Sequence, residues 1–412
     1  MRILFVSNYW PPEKGAASRL GIELCKALAA QGHQIEVVTG FPRYKLKEMP
    51  AEYSGKPHLV EDVQGIRTIR VPLPHASGDR ALKRGFDWLL LPRAFKKGIK
   101  MAGEADVVYT VLPPITMAHA GAYAAKLKGT PLVTMYGDIF PNNVIELGAL
   151  SNPLLIKFCR KLEQFAYRVA NKIIVHSDCY KDYMVREAKV PAEKVNVVFN
   201  WADTEAIQPR ERENEFRAEH ELQRKFVVSY AGTMGPAQGL QVAFEAAELL
   251  KDHPDIHFLI AGDGQDRERL VRLLDSSRLT NVTFLPSQPL PKYIQLMAAS
   301  DVCLVTLDPK VKAPTVPSKI WEIMASGRPV LASVALDGDA PKIIEQAKAG
   351  ITVEPGDARA MANAILRLRD EAGLAELLGS SGRKFVEEFA SVTPCSQAYL
   401  RVFEEALSNK KS

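Results

Sequence analysis

The sequence predicts an α/β protein built from two Rossmann-like domains in tandem. Three observations carry that expectation. Apolar runs of strand length alternate with helical patterns along the whole chain, which implies parallel sheets covered on both faces. The two halves open alike, each with a strand, a glycine-bearing loop and an amphipathic helix. The length of 412 residues gives two or three domains at roughly 150 residues each.

In the first half the expected strands are 3–6, 35–39, 66–71, 107–111, 132–135 and 173–176. The first leads into a loop with Pro11, Pro12 and Gly15, then a helix over about 18–31. A second series covers 226–231, 257–261, 282–285, 302–306, 329–333 and 351–353. Its opening strand runs into Gly232-Thr233-Met234-Gly235-Pro236-Ala237-Gln238-Gly239 and a helix to about 251. The polar stretch 203–224 is the natural linker. The expected domains are therefore 1–203 and 204–390, with any nucleotide bound in the cleft. A closing helix over 391–412 is expected to pack back toward the first domain.

Composition excludes several classes. The chain is 47% hydrophobic and 25% charged, with ordinary Gly (26) and Pro (27), so it is neither disordered nor collagenous. Its five cysteines are scattered without a C-x-x-C, which argues against a disulfide framework or zinc knuckle and fits a reducing cytosol. No secretory cleavage pattern follows the first strand. The longest run without a charged residue, 107–125, is broken by Pro113-Pro114 and reads as a strand, loop and helix rather than a membrane span. A soluble, cytoplasmic protein is expected.

Charge is uneven. Residues 80–100 hold seven basic side chains (Arg80, Lys83, Arg84, Arg93, Lys96, Lys97, Lys100) against Asp87 alone, and they account for the chain's net charge of +5. With Trp88 and the surrounding leucines, this stretch suits an anionic membrane surface. The competing reading is a solvated helix at a domain edge with its apolar residues in the core. Nucleic acid is not expected, since no nucleic-acid motif accompanies the patch.

Residues able to carry chemistry cluster after strands. Glycine loops let backbone N–H groups approach a diphosphate. Gly15 with Ala16, the Gly232/Gly235/Gly239 group and Gly262-Asp263-Gly264 are candidates, though none is a G-x-G-x-x-G or Walker motif. A sharper signal is Pro317-Ser318-Lys319-Ile320-Trp321-Glu322, a helix start closed by Gly327 and Pro329. A lysine in a first turn opposes the helix dipole, and a phosphate there would remove the mismatch. The plainer reading is an i, i+3 ion pair between Lys319 and Glu322. Asp138 ends a strand at its C-terminal side, as an acceptor-side carboxylate or a turn residue. Asp337 and Asp339 form a D-x-D in the wrong half for a sugar-transferase metal site, so no metal is expected.

Taken in order, these motifs resemble retaining glycosyltransferases of family 4, which have the GT-B fold. The resemblance rests on Pro11-Pro12 with Gly15, Gly32-His33-Gln34, Asn200-Trp201-Ala202-Asp203, Ala261-Gly262-Asp263-Gly264 and Pro317 through Val330. The variants around Gly235, Gln238 and Lys319 are similar to the branch building bacterial O-antigen, capsule and colanic-acid-like polysaccharides, often adding amino sugars to lipid-linked intermediates. It implies that Gly15 and Ala16 approach the donor diphosphate, that Glu322 holds the ribose hydroxyls, and that the backbone at Gly262–Gly264 lines the nucleotide pocket. Ser318, Gly232, Thr233, Gly235, Gln238 and Gly239 complete the implied donor set.

Two departures from the family pattern matter. The first Glu of its E-x7-E motif falls on Pro314, and Thr233 and Gln238 stand where an Arg and a Lys are usual. A departing diphosphate needs cationic or dipolar stabilisation, and Lys319 is the side chain placed to supply it. Catalytic roles are therefore assigned to Lys319, Glu322 and Asp138. The expected activity is metal-independent, cofactor-free transfer from a nucleotide-diphosphate sugar, most simply UDP-linked, to a glycan acceptor. The alternatives are a non-catalytic nucleotide-sugar-binding scaffold and a nucleotide-sugar epimerase.

Overall fold

The computed structural model describes residues 1–13, 15–43, 49–74, 81–146, 148, 150–311 and 316–411. Two compact units result. One is Met1–Asn200 with the segment from Val392 onward, and the other is Trp201–Ser391.

The first unit holds an eight-stranded sheet. In chain order its strands are β1 (Arg2–Val6), β2 (Gln34–Gly40), β3 (Leu59–Val63), β4 (Ile66–Val71), β5 (Val107–Leu112), β6 (Leu132–Tyr136), β7 (Lys172–Val175) and β8 (Val195–Val197). Their spatial order is β3-β4-β2-β1-β5-β6-β7-β8, with β3 antiparallel and every other pairing parallel. The order reverses between β1 and β5, the place where open α/β sheets bind ligands at their C-terminal edge.

Alternation along the strands sorts side chains to two faces. Leu4, Val6 and Val108 meet Leu91, Phe95 and Ile99 from helix Ala81–Met101. Phe5 and Tyr109 point the other way and stack at 4.8 Å. Helix Val392–Lys411 covers that face, its Phe403 and Tyr399 lying 5.5 and 5.7 Å from the Tyr109 ring. Lys172 ties the same helix down through Glu405, 2.7 Å away.

The second unit has a six-stranded parallel sheet. Its strands are β9 (Phe226–Thr233), β10 (Ile256–Asp263), β11 (Val282–Leu285), β12 (Val302–Thr306), β13 (Val330–Ser333) and β14 (Gly350–Val353), ordered β11-β10-β9-β12-β13-β14. The reversal falls between β9 and β12. Every expected strand forms within a residue or two of its expected bounds.

Three features differ from expectation. Strand β3 is absent from the predicted series because Glu61 and Asp62 break its apolar run. It forms because Gln64 and Gly65, both at positive φ, make the two-residue turn that joins it to β4. Strand β8 has only three residues, too few to leave a periodic signal. The polar stretch 203–224 is not a free linker. It contains helix Glu215–Glu219, whose Phe216 and Arg217 are buried, and Arg217 binds Asp301 at 2.5 Å.

Helix Ala81–Met101 settles part of the basic segment. Leu91, Phe95 and Ile99 are buried, and Trp88 packs partly buried against the same core. Arg93, Lys96, Lys97 and Lys100 stay exposed. The side chains of Lys83 and Arg84 lie outside the described residues. Among the described residues, no helix is long and apolar enough to cross a membrane.

Phe403→Ala removes the ring that seals Tyr109, a fully buried aromatic, and is expected to cost about 3–5 kcal/mol. Urea denaturation of the variant checks this through a lower midpoint.

Candidate functional site

The strands of the second unit end in a glycine-lined edge. Gly232 closes β9 and Gly262 closes β10, and the two are register partners. A Cβ on Gly262 would strike the Gly232 carbonyl, and one on Gly232 would strike Lys319 Cε. The strand ends can approach this closely only without side chains. Next to them, Met234 N donates to Asp263 O at 2.8 Å, joining the two loops.

The loop after β9 is braced by its own residues. Gln238 Oε1 accepts from Gly235 N at 2.9 Å, and a 3₁₀ turn over Pro236–Gln238 follows. Gly239 then takes the left-handed conformation, φ 54°, with its Cα packed so near Asp308 that an added Cβ would sit 2.8 Å from that backbone. Gln238 therefore shapes this loop. It does not present the cation usual in the family. Thr233 is exposed, and its carbonyl accepts from Tyr230 Oη at 2.5 Å.

Lys319 opens helix Lys319–Ala325, just after Ser318. Its Nζ donates to Tyr230 Oη at 3.1 Å and lies 4.7 Å above the Tyr230 ring. Desolvation pushes the ammonium pKa down to about 8, while the Glu322 charge pulls the other way. Glu322, one turn along, accepts from Tyr293 Oη at 2.7 Å. The helix is anchored from below by the buried side chains of Ile320, Trp321, Ile323 and Met324. A partly buried cation and carboxylate thus stand beside the glycine edge, each positioned by a tyrosine. This arrangement suits a ligand that combines a phosphate with vicinal hydroxyls.

The rest of that motif is structural. Arg328 Nη2 donates to Arg210 O at 2.8 Å and Ala298 O at 2.6 Å. Gly327, at φ 69°, ends the helix. Pro314, at the family's first Glu position, lies outside the described residues.

Gly15, Ala16 and Asp138 belong to the first unit. Gly15 caps helix Ala16–Ala30 after the β1 loop. Asp138 follows β6 in a turn closed by its own carbonyl, which accepts from Phe140 N at 3.0 Å. Its carboxyl reaches solvent, yet the surrounding protein strips enough hydration to raise its pKa. Tyr180, buried close by, is raised by burial first and by the Asp138 charge second. Asp339 is buried in the first turn of helix Asp339–Gln346. Among the described residues, no three His, Cys, Asp or Glu side chains gather where they could hold a metal.

Sequence reasoning missed Tyr230 and Tyr293. Tyr230 was visible as the polar-tipped aromatic two residues before Gly232, on the strand that leads into the glycine loop. Tyr293 left no such signal, because only the fold brings helix Leu290–Ala299 beside Glu322.

Two Rossmann-like units, one with a glycine-lined strand edge beside a cation and a carboxylate, have the architecture of the GT-B glycosyltransferases. Residues 15–201 match the glycosyl transferase 4-like domain, and residues 225–371 match the glycosyl transferases group 1 domain. Together the matches span most of the chain, which belongs to this glycosyltransferase family. The “Probable glycosyltransferase WbjE” of Pseudomonas aeruginosa is 26% identical over 297 residues, 71% of this chain and 73% of that one. The “Putative colanic acid biosynthesis glycosyl transferase WcaI” of Escherichia coli (strain K12) is 26% identical over 335 residues, 79% and 82% of the two chains. Among solved structures, Anabaena HepE in complex with UDP and glucose superposes with a TM-score of 0.71 at 21% identity, over 98% of this chain and 99% of that one. The protein is thus a transferase with relatives in bacterial polysaccharide synthesis.

The depressed Lys319 pKa has a definite sign in stability. Below about pH 8 the lysine is charged in both states, and the desolvation penalty is fully present. Between about 8 and its ordinary 10.5 the unfolded chain binds the proton more tightly, so stability rises with pH. Lys319→Met is expected to melt higher than the parent at pH 7, and the gap to close as pH approaches 10.5. Thermal scans across that range check it.

Proposed function

We propose that the protein transfers a sugar, with retention of anomeric configuration, from a UDP-linked donor to a lipid-linked glycan acceptor in bacterial surface polysaccharide synthesis. The observation that carries this reading is Lys319, a desolvated cation held by Tyr230 over the glycine edge and one turn from Glu322. The HepE complex supports uridine as the nucleoside, and the WcaI relative supports the polysaccharide setting.

In this mechanism the backbone at Gly232, Gly235 and Gly262–Gly264 faces the diphosphate, while Glu322 accepts from the ribose hydroxyls. The bond from the anomeric carbon to the diphosphate oxygen breaks as the acceptor hydroxyl oxygen attacks from the same face. The acceptor proton passes to the leaving phosphate oxygen. Lys319 stabilises the charge that develops there, a larger effect in a desolvated site than in water. Because the cation comes from the chain itself, neither metal nor cofactor is assigned. Asp138, with its raised pKa, is the acceptor-side carboxylate of the first unit, together with Gly15 and Ala16 at the β1 loop. The exposed cations of helix Ala81–Met101 attract an anionic membrane surface.

The primary test is thermal unfolding in EDTA with UDP, GDP and NAD in turn. UDP at a hundred times its dissociation constant is expected to add about 2.7 kcal/mol, with the others silent. A response to none of them refutes the donor site. Glu322→Gln is expected to weaken UDP roughly tenfold or more, the loss of a hydrogen bond to a charged group. It should also erase any preference for UDP over its 2′-deoxy analogue. Lys319→Met is expected to lower kcat about 10²–10³-fold, and unchanged turnover would remove the lysine from the mechanism.

A further inference from the structure

We propose that the first unit docks on an anionic phospholipid surface through the N-terminal half of helix Pro153–Val169, with the basic helix Ala81–Met101 contributing charge beside it. The proposal rests on the reading that the acceptor is lipid-linked, and it assigns the contact to residues other than those the charge pattern singles out.

The sequence points to residues 80–100 because cations and apolar side chains coincide there. Folding separates them. Leu91, Phe95 and Ile99 turn into the core, and of that helix's large apolar side chains only Leu89 is exposed among the described residues. On helix Pro153–Val169 the opposite holds. Leu154 is 78% exposed, and Leu155 and Phe158 are 42% and 44% exposed. These three lie within the first two turns, a contiguous apolar patch of a kind that soluble surfaces avoid unless it is used.

The end of that helix is well formed. Asn152 Oδ1 accepts from Leu154 N at 2.9 Å and Leu155 N at 3.2 Å, and no acid occupies the first turn, where the dipole would favour one. Lys157 and Lys161 are exposed beside the patch. The helix's one acid, Glu163, is buried and bound by Arg160 at 2.9 Å and Tyr167 Oη at 2.8 Å. The outward face is therefore apolar and uniformly positive, the pattern of a segment that lies in a lipid interface. A second copy of the chain fits poorly, because apposing two such faces would set lysines against lysines.

Contacts tie this face to the acceptor side. Arg160 bonds to Asn142, in the segment that follows Asp138. Phe140, from the same segment, meets Trp88 of helix Ala81–Met101 edge-on, ring centroids 6.3 Å apart. Both helices thus hold the loop that carries Asp138, and a lipid-linked acceptor would reach that carboxylate from the surface on which they sit.

The test is cosedimentation of the full chain with phosphatidylcholine vesicles, with and without phosphatidylglycerol. The parent is expected to sediment only with the anionic vesicles. The double variant Leu154→Ser/Phe158→Ser and the pair Lys157→Gln/Lys161→Gln should each bind roughly tenfold or more weakly. Arg93→Gln/Lys97→Gln should lose less. Melting temperature confirms folding of each variant, and a retained UDP response on the same samples separates failure of docking from failure of the donor reading. Vesicle binding unaffected by the helix 153–169 variants overturns the proposal, as does absence of binding by the parent. A dimer that the serine variant dissociates, with no vesicle binding, would assign the face to a second copy and overturn it equally.

Discussion

The closeness of two strand ends governs the second unit. Parallel strands put every following loop at one edge, but only glycines let that edge be flat enough for backbone to face a ligand. Gly232 and Gly262 approach until no Cβ fits between them, and Gly232 also leaves the space that Lys319 Cε fills. The position of the cation is therefore set by missing side chains as much as by those present. From there the sequence of contacts is short. Tyr230 reaches back from β9 to hold Lys319, and helix Lys319–Ala325 carries Glu322 one turn further, where Tyr293 meets it.

Two cations of this unit are held in different ways. Arg217 is buried and saturated. Its Nε donates to Ala299 O at 2.8 Å, Nη1 reaches the carbonyls of Leu222 and Lys225, and Nη2 meets Asp301. Such a pair would be costly to break and has little left to offer a ligand. Lys319 is desolvated too, yet the oxygen that holds it is a neutral phenol, a weak answer to a full charge. At the edge where strands end the cation has a phenol as its hydrogen-bond partner and a carboxylate one turn along, whereas at the edge where they begin the guanidinium is paired directly with a carboxylate.

Much of this was legible in the chain. Twelve of the strands announce themselves as apolar runs, because parallel strands buried on both faces need no polar alternation. The Pro317–Gly327 punctuation located the helix that carries Lys319 and Glu322, and the glycine loops located the edge. Contacts between segments distant in sequence were not legible. Tyr293 meets Glu322, Arg217 meets Asp301 and Leu91 sinks into a core, all for reasons of topology that no local spacing encodes. The basic segment shows the limit most plainly. Arg93, Lys96, Lys97 and Lys100 of this segment are exposed, but the direction its apolar side chains face depends on the sheet beneath them. The i, i+3 spacing of Lys319 and Glu322 likewise suggested a simple surface pair, whereas each side chain is taken up by a tyrosine from another element.

The path of the chain has a consequence for how the protein comes into being. The second unit, Trp201–Ser391, lies within the sequence of the first, which closes only with the segment from Val392 onward. On the ribosome, synthesis proceeds at about 5–20 residues per second, so the second unit emerges whole while the helix from Val392 onward, which covers part of one face of the first sheet, is still to come. Until Tyr399 and Phe403 arrive, the Tyr109 ring lacks the two aromatics that seal it, while Phe5 already packs on Trp10 and against Gly21 of helix Ala16–Ala30. The nascent first unit thus waits for nearly two hundred residues of unrelated structure before that helix can dock. Its maturation is timed by the length of its partner.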